Sequence, residues 1–321
     1  MLLKIVGTAT CFLVSVFIIR KYREYTWGKC KSKRSVKNKT VIITGANSGI
    51  GKATALELAK RGARVILACR DHEKGQKALI DIRSKSRNGV LKVMELDLAS
   101  FESIKKFSNE FLRSEERLDV LINNAGIFQC PYMTTEEGYE MQFGVNHLGH
   151  FLLTKLLLEK LKQSAPSRIV TVSSSLYSKG VLNFDTLNSK EHYEKGMAYK
   201  NSKLANVLFC RELSKRLEGT GVTVYSVCPG MVLTNLGRHV SIKWWKLIAV
   251  APIAWLFIRT PYQGAQTVLH CAISEEVESE SGLCYKNCKK TGFAKVAEDE
   301  TVAKKLWEVS EKLCAKAEKS E

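Results

Sequence analysis

The sequence predicts an α/β fold: a Rossmann-like doubly wound parallel sheet of about seven strands, behind an N-terminal membrane anchor. Three observations predict it. Short apolar runs alternate with stretches of helical periodicity along most of the chain. The first of these runs, residues 40–44, leads into the turn Gly45-x-x-x-Gly49-x-Gly51, at the place where a doubly wound sheet holds a dinucleotide. Residues 5–19 are apolar or weakly polar, and a dense basic run follows them.

Residues 1–19 read as the anchor. The apolar core of that segment spans roughly 22 Å as a helix, and about 28 Å if it extends to Met1 with Lys4 reaching to the interface. That length suits a thin bilayer such as the endoplasmic reticulum. No small-x-small cleavage site precedes the basic residues, which speaks against a cleaved signal peptide. Residues 20–39 form a basic linker: Arg20, Lys21, Arg23, Lys29, Lys31, Lys33, Arg34, Lys37 and Lys39 stand against Glu24 alone. This run carries much of the formal net charge of +18. Because it abuts an apolar segment and no nucleic-acid motif follows, it reads as a membrane flank and not as a nucleic-acid site. The positive-inside rule then places the domain behind it, residues 40–321, in the cytosol.

Within the 321-residue chain, 45% hydrophobic and 26% charged residues fit a globular domain large enough for one substantial core. The strands expected are 40–44, 64–68, 91–96, 120–122, 168–172 and 222–227, with a seventh at 282–285. Helices are expected at 49–61, 72–85, 100–112, 136–162, from the Tyr199 region to about 217, and at 301–313. Residues 244–258, with Trp244, Trp245 and Trp255, break the alternation. They read as a core helix or as an apolar lid touching the bilayer, and the tryptophans favour the lid. Ten cysteines are scattered through the chain. Cys284 and Cys288 have no second pair at zinc spacing, so no metal is expected and reduced thiols are.

The chemistry starts from Tyr199 and Lys203. Four residues apart on a helix, they share one face. An ammonium there is expected to favour the phenolate and bring the tyrosine towards useful acid–base chemistry. Upstream, Gly45 permits the sharp turn, Gly49 lets backbone approach a pyrophosphate at a helix N-terminus, and Gly51 allows close packing. Together the two features point to hydride transfer. After the second strand, Cys69 stands where an NAD enzyme usually places a carboxylate. Arg70 follows it, and with Lys52 could pair a 2′-phosphate, so NADP(H) is the expected cofactor; Asp71 offsets part of that field. A Ser-His hydrolase lacks support, because Ser174 has no G-x-S-x-G elbow.

Over residues 38–290 the chain resembles the classical short-chain dehydrogenase/reductase family. The matching motifs are Thr44-Gly45-x-x-x-Gly49-x-Gly51, Asp97-Leu98, Asn123-Asn124-Ala125-Gly126, Asn146, Ser174, Tyr199-x-x-x-Lys203 and Pro229-Gly230. More narrowly it is similar to the membrane-bound retinol dehydrogenases, through 121–126 with Cys130-Pro131-Tyr132, and through 145–151, 164–170 and 234–239. The resemblance implies Tyr199 as catalytic acid or base and Lys203 as its partner and a ribose ligand. It implies Ser174, the second serine of Val-Ser-Ser, as the substrate-oxygen donor, and Asn146 as the holder of a relay water. It further implies a cofactor site made by Gly45, Asn47, Ser48, Gly49, Ile50, Gly51, Lys52, Arg70, Asp97, Leu98, Asn124, Ala125, Gly126, Pro229, Gly230 and Thr234, together with Tyr199 and Lys203. The function it implies is NADP(H)-dependent interconversion of retinol and retinal. A steroid or lipid-aldehyde reductase of the same mechanism is the alternative, since apolar pockets discriminate weakly. A tethered NADP-binding scaffold without turnover is a further one, and an intact Ser-Asn-Tyr-Lys set argues against it. The partner expected is a small apolar substrate, with a retinoid favoured; no feature sets an oligomeric state.

Overall fold

The structure is a computed structural model, and it describes residues 2–239 and 254–316. Its centre is a sheet of eight strands in the order β3-β2-β1-β4-β5-β6-β7-β8. The strands are β1 (Thr40–Thr44), β2 (Arg64–Cys69), β3 (Val90–Glu95), β4 (Val120–Asn123), β5 (Ser167–Val172), β6 (Val222–Cys228), β7 (Leu283–Lys286) and β8 (Lys289–Thr291). The first seven run parallel and β8 is antiparallel to β7. The eighth strand corrects the expectation of seven. It is short and cationic, and its two-residue turn, Asn287-Cys288, has both residues at positive φ (57° and 54°), as a tight primed hairpin turn requires. Cys288 gives no turn signal in sequence.

Both faces of the sheet are covered, which explains the continuous apolar strands. Ile42, Leu121 and Ile169 face one core, with Phe107, Phe151, Phe209 and Trp307. Val41, Ile43, Ile122 and Val170 face the other, with Leu58, Ile82 and Leu269. The first core is closed by α4 (Phe101–Ser114), α6 (Gly149–Gln163), α7 (Lys195–Arg216) and α9 (Glu300–Lys316), the second by α2 (Gly49–Lys60), α3 (His72–Lys85) and α8 (Pro261–Ile273). Sequence reading assigns no element where α8 lies. The signal is present all the same: Thr260 and Gln263 form a capping box with Pro261 in the first turn.

The helix expected over 136–162 starts later and is interrupted. Glu140 accepts hydrogen bonds from Gln142 N and Phe143 N, and α5 (Met141–Phe143) passes through a π-helical turn at Gly144–Leu148 into α6. Such turns concentrate at functional positions, and this one holds Asn146.

At the N-terminus, α1 (Leu2–Thr26) covers the proposed anchor and continues into the basic run. Among the described residues no helix is long and apolar enough to cross a membrane. The segment 244–258 lies outside the described residues as far as 253; its end, 254–257, is helical. Its carbonyls meet the basic end of α1: Arg20 donates to Trp255 O and, at 2.8 Å, to Ile258 O, and Arg23 Nε donates to Leu256 O at 3.0 Å.

Candidate active site

The strand order reverses between β1 and β4, and ligands of open α/β sheets bind in the crevice at the carboxyl ends of the strands at such a point. A cavity of about 620 Å³ lies there. Its floor at one end is the glycine turn. Gly45 and Gly49 have φ of 66° and 55°, a left-handed region that glycine enters at no steric cost. A side chain at Gly49 would also meet Thr234 at 2.8 Å. Ser48 precedes α2 with extended backbone, and its hydroxyl makes no cap bond. The first amides of α2 therefore stay open towards an anion, supported by the helix dipole.

Gly45, Asn47, Ser48, Gly49, Ile50, Arg70, Asp97, Leu98, Asn124, Ala125, Gly126, Pro229, Gly230 and Thr234 all line this cavity, as do Ser174, Tyr199 and Lys203. Gly51, Lys52 and Asn146 do not. Gly51 is a packing residue, as its small size suggests: a side chain there would strike Asn124 Nδ2 and Gly45 O at 2.6 Å. Lys52 is turned away and pairs with Asp81 at 3.0 Å. In its place Lys74, in the first turn of α3, reaches the cavity beside Arg70. Asp71 also lines it, but its carboxylate caps α3 and pairs with Lys74 at 2.7 Å, so the local field is cationic chiefly through Arg70.

At the far end stand Ser174, Tyr199 and Lys203. The tyrosine and lysine are nearly fully buried on α7, with Lys203 Nζ 5.7 Å from the centre of the Tyr199 ring. Phe128 packs edge-on against that ring at 4.6 Å. The expected lowering of the Tyr199 pKa does not hold for the protein alone. Burial pushes the phenol up to about 12, with only the Ser174 hydrogen bond acting against it. Burial also pulls Lys203 down to about 8, and its ammonium is engaged at 3.0 Å by the Val172 carbonyl. The protein by itself therefore holds Tyr199 as a neutral acid.

The three consecutive serines separate. Ser173 donates to Lys203 O at 2.7 Å, Ser174 is half-buried at the cavity beside Tyr199, and Ser175 is exposed. Asn146 is buried and its amide is engaged by protein. Oδ1 accepts from Ile127 N at 2.8 Å, while Nδ2 donates to Ile127 O at 3.0 Å and Ser202 Oγ at 2.9 Å. The expected water-holding role thus meets an amide committed to bracing Ile127 and α7, behind Gly126.

Three residues to which sequence reading gave no site role shape the site: Thr44, which opens the glycine motif, His150 and Arg259. Thr44 Oγ1 accepts from Asn124 N and Ala125 N, both at 2.9 Å, and stands 2.9 Å from His150 Nε2. Arg259 donates to Pro229 O at 3.0 Å and Asn287 Oδ1 at 2.7 Å, so it braces the Pro229-Gly230 turn. The motif that contains Thr44 does not show its partners, and no local motif marks Arg259.

The comparisons agree with this geometry. A model described as short chain dehydrogenase matches residues 39–243. Retinol dehydrogenase 14 of Homo sapiens is 55% identical over 290 residues, which is 85% of this chain and 85% of that protein. Retinol dehydrogenase 13 of Homo sapiens is 51% identical, over 90% and 88% of the two chains. Among solved structures, a putative uncharacterized protein from Mycobacterium Paratuberculosis superposes with a TM-score of 0.70 at 36% identity, covering 88% of this chain and 95% of that one. A putative NAD(P) dependent gluconate 5-dehydrogenase from Beutenbergia cavernae, with bound NADP, shares the fold at a TM-score of 0.61 and 24% identity, over 78% and 95%. With the motif order, the sheet order and these relatives in agreement, the chain belongs to the short chain dehydrogenase family.

Proposed function

We propose that the protein is an NADP(H)-dependent oxidoreductase that interconverts retinal and retinol. The observation that carries this reading is the cavity itself: an anion-accepting glycine turn at one end and a buried Ser174–Tyr199–Lys203 set at the other. The residues fit a nicotinamide dinucleotide. The open amides of α2 and Gly49 would suit its pyrophosphate, Asp97 and Leu98 would border its adenine end, and Arg70 would suit a 2′-phosphate. When bound, such a cofactor supplies or accepts the hydride.

The chain's own residues handle the oxygen and its proton. Ser174 donates a hydrogen bond to the substrate oxygen and stabilises charge that grows there. Tyr199 Oη gives up its proton to that oxygen on reduction and takes it back on oxidation. A phenol held neutral by burial is the state that reduction needs. Lys203 holds positive charge beside the ring, and its depressed pKa lets that charge respond near neutral pH. Met141, Val145, Val232 and Leu236 give the cavity apolar wall, which suits a hydrocarbon substrate.

Location is part of the same reading. Residues 1–19 anchor the protein in the endoplasmic reticulum membrane, and the domain faces the cytosol. Support comes from the basic run at the end of α1 and from exposed Phe17, Ile18 and Ile19 just before it.

The test is turnover by the purified full-length chain with NADPH and with NADH, over retinal, a steroid ketone and a long-chain alkanal. The account expects retinal reduction with NADPH as the preferred pair. Equal use of NADH, or a steroid turned over more efficiently than retinal, would overturn it.

A further inference from the structure

His150, Thr44 and Asn146 are each at most 1% exposed and form one chain of hydrogen bonds. His150 Nδ1 lies 3.0 Å from the main-chain carbonyl of Asn146, and its Nε2 lies 2.9 Å from Thr44 Oγ1. That hydroxyl also receives the amides of Asn124 and Ala125, both at 2.9 Å.

Donor arithmetic and distance assign the ring proton. A hydroxyl has two lone pairs and one hydrogen. The two amides occupy the lone pairs of Thr44, so its hydrogen points to His150 Nε2 at 2.9 Å, much nearer than its other acceptor, the Ile122 carbonyl at 3.5 Å. That nitrogen must then be an acceptor, which puts the ring proton on Nδ1. The Asn146 carbonyl can only accept, and Nδ1–H supplies it. A protonated ring would bring a third donor to the Thr44 oxygen. Burial holds His150 neutral, with its pKa pulled down to about 4, and the charge of Lys203 acts in the same direction; buried His147 is the other titratable neighbour it influences.

The two ends of this chain serve different parts of the cavity. Thr44 closes β1 immediately before the glycine turn and fixes Asn124 and Ala125, which line the cofactor floor. Asn146 sits in the π-helical turn, and a side chain placed on Gly126 would touch both its Oδ1, at 3.2 Å, and Lys203 Nζ, at 3.7 Å.

We propose that His150 is a positioning residue for the reaction: a neutral imidazole, protonated on Nδ1, that orients the Thr44 hydroxyl under the cofactor floor with one nitrogen and holds the Asn146 turn beside Lys203 with the other. This rests on the dinucleotide reading above, and it assigns separate consequences to the two ring nitrogens.

The test uses two half-mimics in the full-length chain. His150→Asn keeps a donor near the Nδ1 position and leaves Thr44 only the more distant Ile122 carbonyl as an acceptor. It should raise the NADPH Kd about tenfold, measured by cofactor fluorescence without substrate, and it should speed deuterium exchange of the Asn124 and Ala125 amides. His150→Gln keeps an acceptor near the Nε2 position. It should leave the Kd within about threefold, lower the single-turnover rate at saturating NADPH by about tenfold or more, and leave those amides protected. Equal effects of both variants on Kd and rate, or a change in Tm alone, would overturn the proposal. If either fails to fold, Thr44→Val should raise Kd and exchange as His150→Asn does, and Thr44→Ser should restore both; an unmoved Thr44→Val overturns it too. The exchange arm needs no cofactor, so a wild-type protein that binds no NADPH would sink the dinucleotide reading while exchange still decides the role of His150.

Discussion

Ser173 Oγ donates to the main-chain carbonyl of Lys203 at 2.7 Å, which joins the end of β5 to the middle of α7 and leaves the next hydroxyl, that of Ser174, beside the Tyr199 phenol. The two serines therefore have separable jobs. Ser174→Ala removes the donor to the reacting oxygen and should lower kcat by about 10²- to 10³-fold. Ser173→Ala removes one buried hydrogen bond and should chiefly lower stability, by about 1 kcal/mol. Ser175→Ala, at an exposed position, should do little. Steady-state kinetics and thermal melts of the three variants check this ranking, and a Ser173 effect on kcat larger than that of Ser174 would reverse the assignment.

Arg70 is exposed at the rim of the cavity, while Lys52 is paired with Asp81. Arg70→Gln should raise the KM for NADPH by roughly 10- to 150-fold and leave that for NADH little changed, the scale of one charge-assisted bond to a phosphate. Lys52→Ala should change the ratio of the two much less. The KM ratio of the two cofactors across these variants is the measurement.

His147 and His150 set an acid limit on stability. Burial, the largest cause for each, pulls their pKa values down to about 3 and about 4. The unfolded chain protonates both below about 6.5 while the folded chain does not. Stability should therefore fall as pH drops from about 6.5, and each histidine should add up to about 1.4 kcal/mol per pH unit until its folded pKa is reached. Urea unfolding at pH 7, 6 and 5 measures the slope, and His147→Gln should flatten it by close to one proton.

Most of the fold is legible in the sequence because it is written in local terms. The strand from Thr40 to Thr44 is apolar and ends in glycines, and the helix over His72–Lys85 lies within a residue of its expected bounds. What escapes is set by distant partners. The π-helical turn at Gly144–Leu148 and the hairpin at Asn287-Cys288 have no short-range signature. The site divides in the same way. Residues in motifs, such as Gly49 and Tyr199, reach the cavity as expected. Lys52 does not, because one turn of helix decides between the cavity and Asp81. The ionisation of Tyr199 also departs from expectation: four-residue spacing brings the ammonium near the ring but says nothing of burial or of the Val172 carbonyl that claims it.

Membrane orientation has its own test. Asn38-Lys39-Thr40 is a glycosylation acceptor sequence, and Asn38 sits in a left-handed turn (φ 64°) directly before β1. A cytosolic domain leaves Asn38 unmodified and exposes the domain to protease added to intact microsomes. Protection until detergent is added would overturn the proposed orientation, whatever the state of Asn38.

The central claim is that Tyr199 delivers the proton, and Tyr199→Phe tests it most directly. The substitution keeps the ring packed against Phe128 and removes only the hydroxyl. The measurement is NADPH affinity by fluorescence alongside the rate of retinal reduction at saturating cofactor. The account predicts a Kd within about threefold of wild type and a rate lower by about 10²- to 10⁴-fold. A variant that binds NADPH and keeps more than about a tenth of the wild-type rate would contradict it.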